Sequence, residues 1–216
     1  MTREDHQRAA ARRAAALVDD GMRVGLGTGS TVAFLIEELA ARRPAASYVA
    51  TSPRTEAAAR SYGLSLTTLE DGPTLDLAID GADQVAPDGW LVKGKGGALT
   101  REKIVASASA RFVVIVDETK LVDALRPPVP VELLAFGLAA TLSRVAPLRL
   151  RDAPRTPDDG VLADYLGEVG SPGALARWLE GCAGVVEHGL FAPTLVHTIY
   201  VGARDAIHPP STGDVV

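Results

Sequence analysis

Apolar positions along the first half of the chain switch between short continuous runs and a helical period. Residues 4–19, rich in alanine, read as a helix that ends near Asp20-Gly21. Residues 23–27 read as a short buried strand. Val32, Leu35, Ile36 and Leu39 then repeat at i, i+3, i+4, i+7, and Pro44 closes that helix. Residues 48–51 are expected as a strand, and Thr55 as the cap of a helix that Gly63 ends. Strands are expected over 64–69, 75–79 and 90–93, with Asp88-Gly89 as a turn. A helix over 100–110 and the β-branched run 112–116 follow. Strands alternating with helices imply a mainly parallel, Rossmann-like α/β sheet covered on both faces. The chemically suggestive motifs fall at strand C-terminal ends, where open α/β sheets bind ligands.

Arg126-Pro127-Pro128-Val129-Pro130 cannot continue a helix and reads as a hinge or linker. Beyond it the pattern predicts a strand (131–134), a helix (136–145), a strand (148–151) and a polar Pro/Asp loop. A strand (161–166), a helix (173–181) and a strand (185–191) follow. That order predicts a smaller, ferredoxin-like α+β domain. Residues 194–201 form a last strand expected to rejoin the first domain. The division is therefore 1–126 plus 195–216 against 127–194, with 206–216 as a loosely held tail.

The 216 residues are 47% hydrophobic and 23% charged, enough for a sizeable core. The net charge of −5 argues against nucleic-acid or membrane binding, so any anion site must be a local positive feature. The N-terminal stretch has no signal-peptide core, and no window reaches membrane-span length. The single cysteine, Cys182, excludes an intrachain disulfide and fits a reducing cytoplasm, most simply as a small buried filler. His6, His188, His197 and His208 lack ligand spacing, so no metal site is expected among them.

Candidate chemistry sits in three places. Gly25-Leu26-Gly27-Thr28-Gly29-Ser30-Thr31 could cradle a phosphate with backbone N–H groups and hydroxyls at a helix start, though a tight strand-to-helix turn needs the same glycines. It fits dinucleotide binding poorly. Ser30 stands where the third glycine belongs, and no acid lies between Glu38 and Glu56. Asp80-Gly81-Ala82-Asp83 places two carboxylates at a strand end, suited to sugar hydroxyls and proton movement. Lys93-Gly94-Lys95-Gly96-Gly97 opens a helix whose first turn carries Glu102. A cation, an anion-tolerant loop and a carboxylate base stand together there. Lys120, after Asp117, could reach the same edge.

Taken in order, these motifs resemble the ribose-5-phosphate isomerase A family. Thr51-Ser52 with Thr55-Glu56, Pro130-Val131-Glu132 and residues 184–191 add to the match. The resemblance implies interconversion of ribose 5-phosphate and ribulose 5-phosphate with neither metal nor organic cofactor, in a cytoplasmic homodimer or homotetramer. It implies Glu102 as base, Asp80 and Asp83 as acids, and Lys93 as the cation near the enediolate. It implies substrate contacts from Thr28, Gly29, Ser30, Thr31, Asp80, Gly81, Ala82, Asp83, Lys93, Gly94, Lys95, Gly96 and Lys120. The chain departs from the pattern at Gln7, where relatives often carry a phosphate-binding lysine; either Arg8 beside it or the charge of Lys95 makes up that contact, or it is lost. Lys95 replaces a common glycine, Gln84 a glutamate, and 152–160 lacks the usual Asp-Asn-Gly-Asn-like turn. The competing readings are a non-catalytic sugar-phosphate sensor of the same fold and an amino-sugar phosphate isomerase or acyl-CoA transferase. A single helix ahead of the first loop disfavours a DNA-binding regulator.

Overall fold

The computed structural model describes residues 2–209. Helix α1 (Arg3–Ala15) starts in a capping box between Thr2 and Asp5 and buries Ala10, Ala11, Ala14 and Ala15. Small side chains on that face let it lie close to α2 (Ser30–Arg42), which buries Val32, Leu35, Ile36 and Leu39. Around them run β1 (Arg23–Leu26), β2 (Ser47–Ala50), α3 (Pro53–Ser61), β3 (Leu77–Asp80), β4 (Gln84–Val85), β5 (Leu91–Val92), α4 (Leu99–Ser107) and β6 (Phe112–Val116). The chain continues through β7 (Val129–Leu133), α5 (Leu138–Arg144), β8 (Leu148–Leu150), β9 (Val161–Tyr165), α6 (Pro172–Glu180), β10 (Val185–His188), β11 (Leu190–Phe191) and β12 (Thr198–Val201).

The main sheet has the order β12-β6-β3-β1-β2, and every pairing in it is parallel. Its β6 is buried at every position, as a strand covered on both faces requires. The second sheet, β10-β7-β9-β8, is antiparallel and carries α5 and α6 in ferredoxin-like order. The expected mixed architecture is therefore present, and β12 does return to the main sheet.

Several local expectations need correction. Residues 64–69 form no strand; Leu66 makes only an isolated bridge to Tyr48. Ser52, not Thr55, caps α3. The short β4 escaped the pattern, because two residues carry no periodicity. The run 185–191 splits at Gly189: β10 joins β7, whereas β11 joins β5 in a small β11-β5-β4 sheet. Gly189 is needed there, since a Cβ would lie 2.1 Å from the Lys93 carbonyl oxygen. The proline-rich stretch is less of a linker than expected, because Val129 and Pro130 already belong to β7. Pro130 still accepts from Gly189 N, where β10 has ended, so its missing N–H costs no ladder bond. Of the expected tail, Ile207 bridges Ile199, while 210–216 lie outside the described residues. Cys182 is buried in the core of the second sheet. His188 is buried as well.

Candidate active site

The C-terminal ends of β1, β3 and β5 and the starts of α2 and α4 meet around a cavity of about 250 Å³. Its walls are residues 28–32, 81–83 and 93–96, with Glu102, Lys120 and Arg3. Every residue expected at the site lines this cavity except Asp80, which lies behind it and is 3% exposed.

The first wall is the β1–α2 turn. Gly29 is the N-cap of α2, with φ 141°, and no side chain caps the first turn. Its leading N–H groups are left for an anion. Thr28 is fixed by hydroxyl contacts to Thr51 at 3.0 Å and Ser52 at 2.9 Å. Thr55 donates to Gly27 O at 2.8 Å. This hydroxyl network explains why polar residues at 51, 52 and 55 are buried.

Asp80 ends β3. Its Oδ1 accepts from Thr28 N at 3.0 Å and Gly81 N at 2.7 Å, and its Oδ2 accepts from Lys93 Nζ at 2.7 Å. Gly27 makes room for it: a Cβ at 27 would lie 1.8 Å from Asp80 Oδ1. Both Asp80 oxygens are thus engaged by protein donors, behind the cavity wall. Asp83 is the half-buried acid of the pair, its Oδ2 held by Lys95 N at 2.9 Å.

Lys93 ends the β5 segment, where its N–H donates to Gly189 O at 2.8 Å. Its ammonium also donates to Gly81 O and lies 3.2 Å from Glu102 Oε2. Glu102 Oε2 is a buried carboxylate oxygen that meets this ammonium as an ion pair and, among the described residues, accepts from no other donor. The side chains of Lys93 and Glu102 are each 3% exposed. Burial pushes the Glu102 carboxyl up to about 8, with Asp80 adding to the rise and Lys93 opposing it. The helix start and the ammonium would both favour ionised Glu102; burial outweighs them. Burial also pushes Asp80 upward against the pull of Lys93. Burial alone would lower Lys93, but the two carboxylates raise it, so it stays a cation.

The loop between them bends at Gly94 (φ 101°) and Gly97 (φ 77°), and Lys95 needs no left-handed conformation. Lys95 therefore replaces glycine without backbone strain. From the second sheet, Arg151 donates to Gly94 O at 2.9 Å while paired with Asp164, bracing the loop.

Arg8 does not substitute for a missing lysine. It pairs with Glu4 and Glu37 and lies over the Phe34 ring, away from the cavity walls. Gln7 is buried and donates to Ser30 Oγ at 3.2 Å and Asp117 Oδ2 at 3.0 Å. Arg3 went unrecognised in the sequence. The signal present was its spacing, four residues before Gln7 and so on the same helical face. Among the described residues, no group of His, Cys, Asp and Glu side chains is arranged to hold a metal ion.

Residues 47–206 match the family model described as ribose 5-phosphate isomerase A (phosphoriboisomerase A). The chain is 44% identical to ribose-5-phosphate isomerase A of Methanoregula boonei, over 97% of this chain and 95% of that one. A solved ribose 5-phosphate isomerase A from Neisseria gonorrhoeae superposes with a TM-score of 0.92 at 31% identity, covering 97% of this chain and 99% of the other. A D-ribose-5-phosphate isomerase solved in complex with phospho-erythronic acid superposes with a TM-score of 0.91 at 30% identity, covering 96% and 100%. The chain belongs to the ribose-5-phosphate isomerase A family.

Proposed function

We propose that this chain interconverts ribose 5-phosphate and ribulose 5-phosphate through an enediolate, with Glu102 as the base. The observation that carries the reading is the Glu102 carboxylate, buried at the cavity wall and paired with the Lys93 ammonium at 3.2 Å. In the open-chain aldose the C2 proton is acidified only weakly by the C1 aldehyde. Glu102 takes that proton, and the C2 electron pair forms the C1–C2 double bond as charge moves onto the aldehyde oxygen. Lys93 lies where it opposes that charge; one such donor typically contributes ~3–4 kcal/mol. Glu102 returns its proton to C1, and the 2-hydroxyl proton passes by way of Asp83 to the charged C1 oxygen, so that C2 becomes the ketone and C1 the alcohol. Asp83, the acid that lines the cavity, handles hydroxyl protons during ring opening and transfer. Asp80 keeps Lys93 charged and in place. Residues 28–31 and Lys120 take the phosphate end.

These steps use no metal or organic cofactor, so turnover should persist in EDTA. Glu102→Gln is expected to fold and bind sugar phosphate while kcat falls by roughly 10²–10⁴-fold. A coupled isomerase assay beside a binding measurement checks it, and near-normal turnover removes Glu102 from the base role. The sensor reading is not favoured, because curated relatives that match nearly the whole chain are named as the isomerase.

We propose the division into 1–126 plus 195–216 and 127–194, supported by the return of β12 to β6. A cytoplasmic homodimer, with a tetramer as the larger alternative, is supported by three features. Cys182 is the lone cysteine. Among the described residues no helix is long and apolar enough to cross a membrane. Phe136 in the β7–α5 connection is 93% exposed, and Leu134 beside it and Val186 of β10 are also exposed.

A further inference from the structure

The first turn of α1 borders the cavity beside the start of α2. Gln7 bonds Ser30 Oγ there, and Arg3, one turn earlier on the same face, is itself a cavity wall. Both side chains end on one oxygen: Arg3 Nε and Gln7 Nε2 each donate to Asp117 Oδ2 at 3.0 Å. Asp117 is buried, with its side chain 2% exposed. Its other oxygen accepts from Thr119 N at 3.0 Å and from the Thr119 hydroxyl. A buried, fully engaged carboxylate therefore sets the direction of a half-exposed guanidinium. Only Nε of that guanidinium is used. Neither Nη group of Arg3 donates to a protein acceptor among the described residues.

The other cations around the cavity differ. Lys93 is buried and committed to Asp80. Lys95 and Lys120 are ammonium groups, which meet an anion at a point rather than through a planar fork. The α2 start offers N–H groups but no charged side chain. A phosphate dianion at that end would lack an oriented cation unless Arg3 supplies it.

We propose that Arg3, aimed by Asp117, grips the phosphate of the substrate with its two free Nη groups, opposite the N–H groups that open α2. The inference rests on the sugar-phosphate reading of this same cavity. The ordinary alternative is an ion pair that only fastens α1 to the turn after β6.

Steady-state kinetics with ribose 5-phosphate separate the two. Arg3→Gln should raise KM about 10- to 100-fold, the range expected for a charge-assisted contact, with a much smaller change in kcat. The inhibition constant of inorganic phosphate should weaken by a similar factor. Because positions 3 and 7 share a face and a partner, adding Gln7→Lys to Arg3→Gln should recover much of the lost affinity. An Arg3→Gln variant that melts earlier yet keeps KM and phosphate inhibition within about twofold overturns the proposal. Calorimetric titration with inorganic phosphate keeps this question apart from that of the reaction. If the wild-type chain does not isomerise but binds phosphate in an Arg3-dependent way, the reaction fails and the phosphate grip stands. Equal phosphate binding by wild type and Arg3→Gln sinks the grip whatever the reaction proves to be.

Discussion

At the residue scale, the raised Glu102 carboxyl carries a pH consequence. A base must be ionised to act, and its folded value of about 8 lies above the ordinary 4.5. kcat/KM should therefore rise roughly tenfold per pH unit on the acid side and level off above pH about 8, reporting the free enzyme. A pH–rate profile checks this; a flat profile from pH 6 to 9 contradicts it. Stability runs the other way. Between 4.5 and about 8 the folded chain binds the Glu102 proton more tightly than the unfolded chain does, so the contribution falls as pH rises through that window. Glu102→Gln should lose that component of the decline in thermal melts. The pairing of Lys93 with Glu102 was legible in the sequence, because a strand-end lysine, a glycine loop and a helix-start acid form a local pattern. Arg3 was not. Its partner Asp117 is 114 positions away, and only the packing of α1 against β6 brings them together.

At the element scale, the first turn of α4 is held on both sides of the base. Thr100 donates to Glu132 of β7, Arg101 pairs with Asp158 at 2.7 Å, and Lys103 pairs with Glu187 of β10 at 2.6 Å. Glu132 is 2% exposed and also accepts from Thr156 at 2.6 Å. The second sheet thus sets where Glu102 stands. Glu132→Leu would leave two hydroxyls without their acceptor, at about 1–3 kcal/mol for each one that stays buried. The expected result is a lower melting temperature and a fall in kcat larger than any change in KM, with Glu132→Gln recovering part of both. Unchanged kcat in a folded Glu132→Leu chain would detach the second sheet from base placement. The helices carrying this arrangement were legible from periodicity. The split of 185–191 was not, since two apolar pairs flanking Glu187-His188-Gly189 say nothing about which sheet each half joins. Residues 64–69 have an apolar pattern but, apart from one bridge, no strand to pair with.

At the scale of the whole molecule, the two architectures were legible because alternating strands and helices give way to a βαββαβ order after the prolines. What no local pattern carries is the exposed apolar connection between β7 and α5. Phe136, nearly fully exposed, and Leu134 would be costly to leave in water on a monomer. Phe136→Glu should shift sedimentation toward a smaller species, while far-UV circular dichroism stays the same. An unaltered sedimentation coefficient would place the contact elsewhere.

The late pairing of β11 and β12 also decides when a growing polypeptide can work. Lys93 takes its backbone partner from Gly189, and β6 receives its outer neighbour only from Thr198–Val201. A ribosome must deliver the chain as far as Gly189 for the first pairing and Val201 for the second. Contacts of such long sequence separation also form slowly. Shortened translation products ending before Gly189 would therefore carry Glu102 and Lys93 yet lack the pairings that hold Lys93 in place. Catalytic activity is thus expected only in products that extend through Val201, which a series of translation products of increasing length checks.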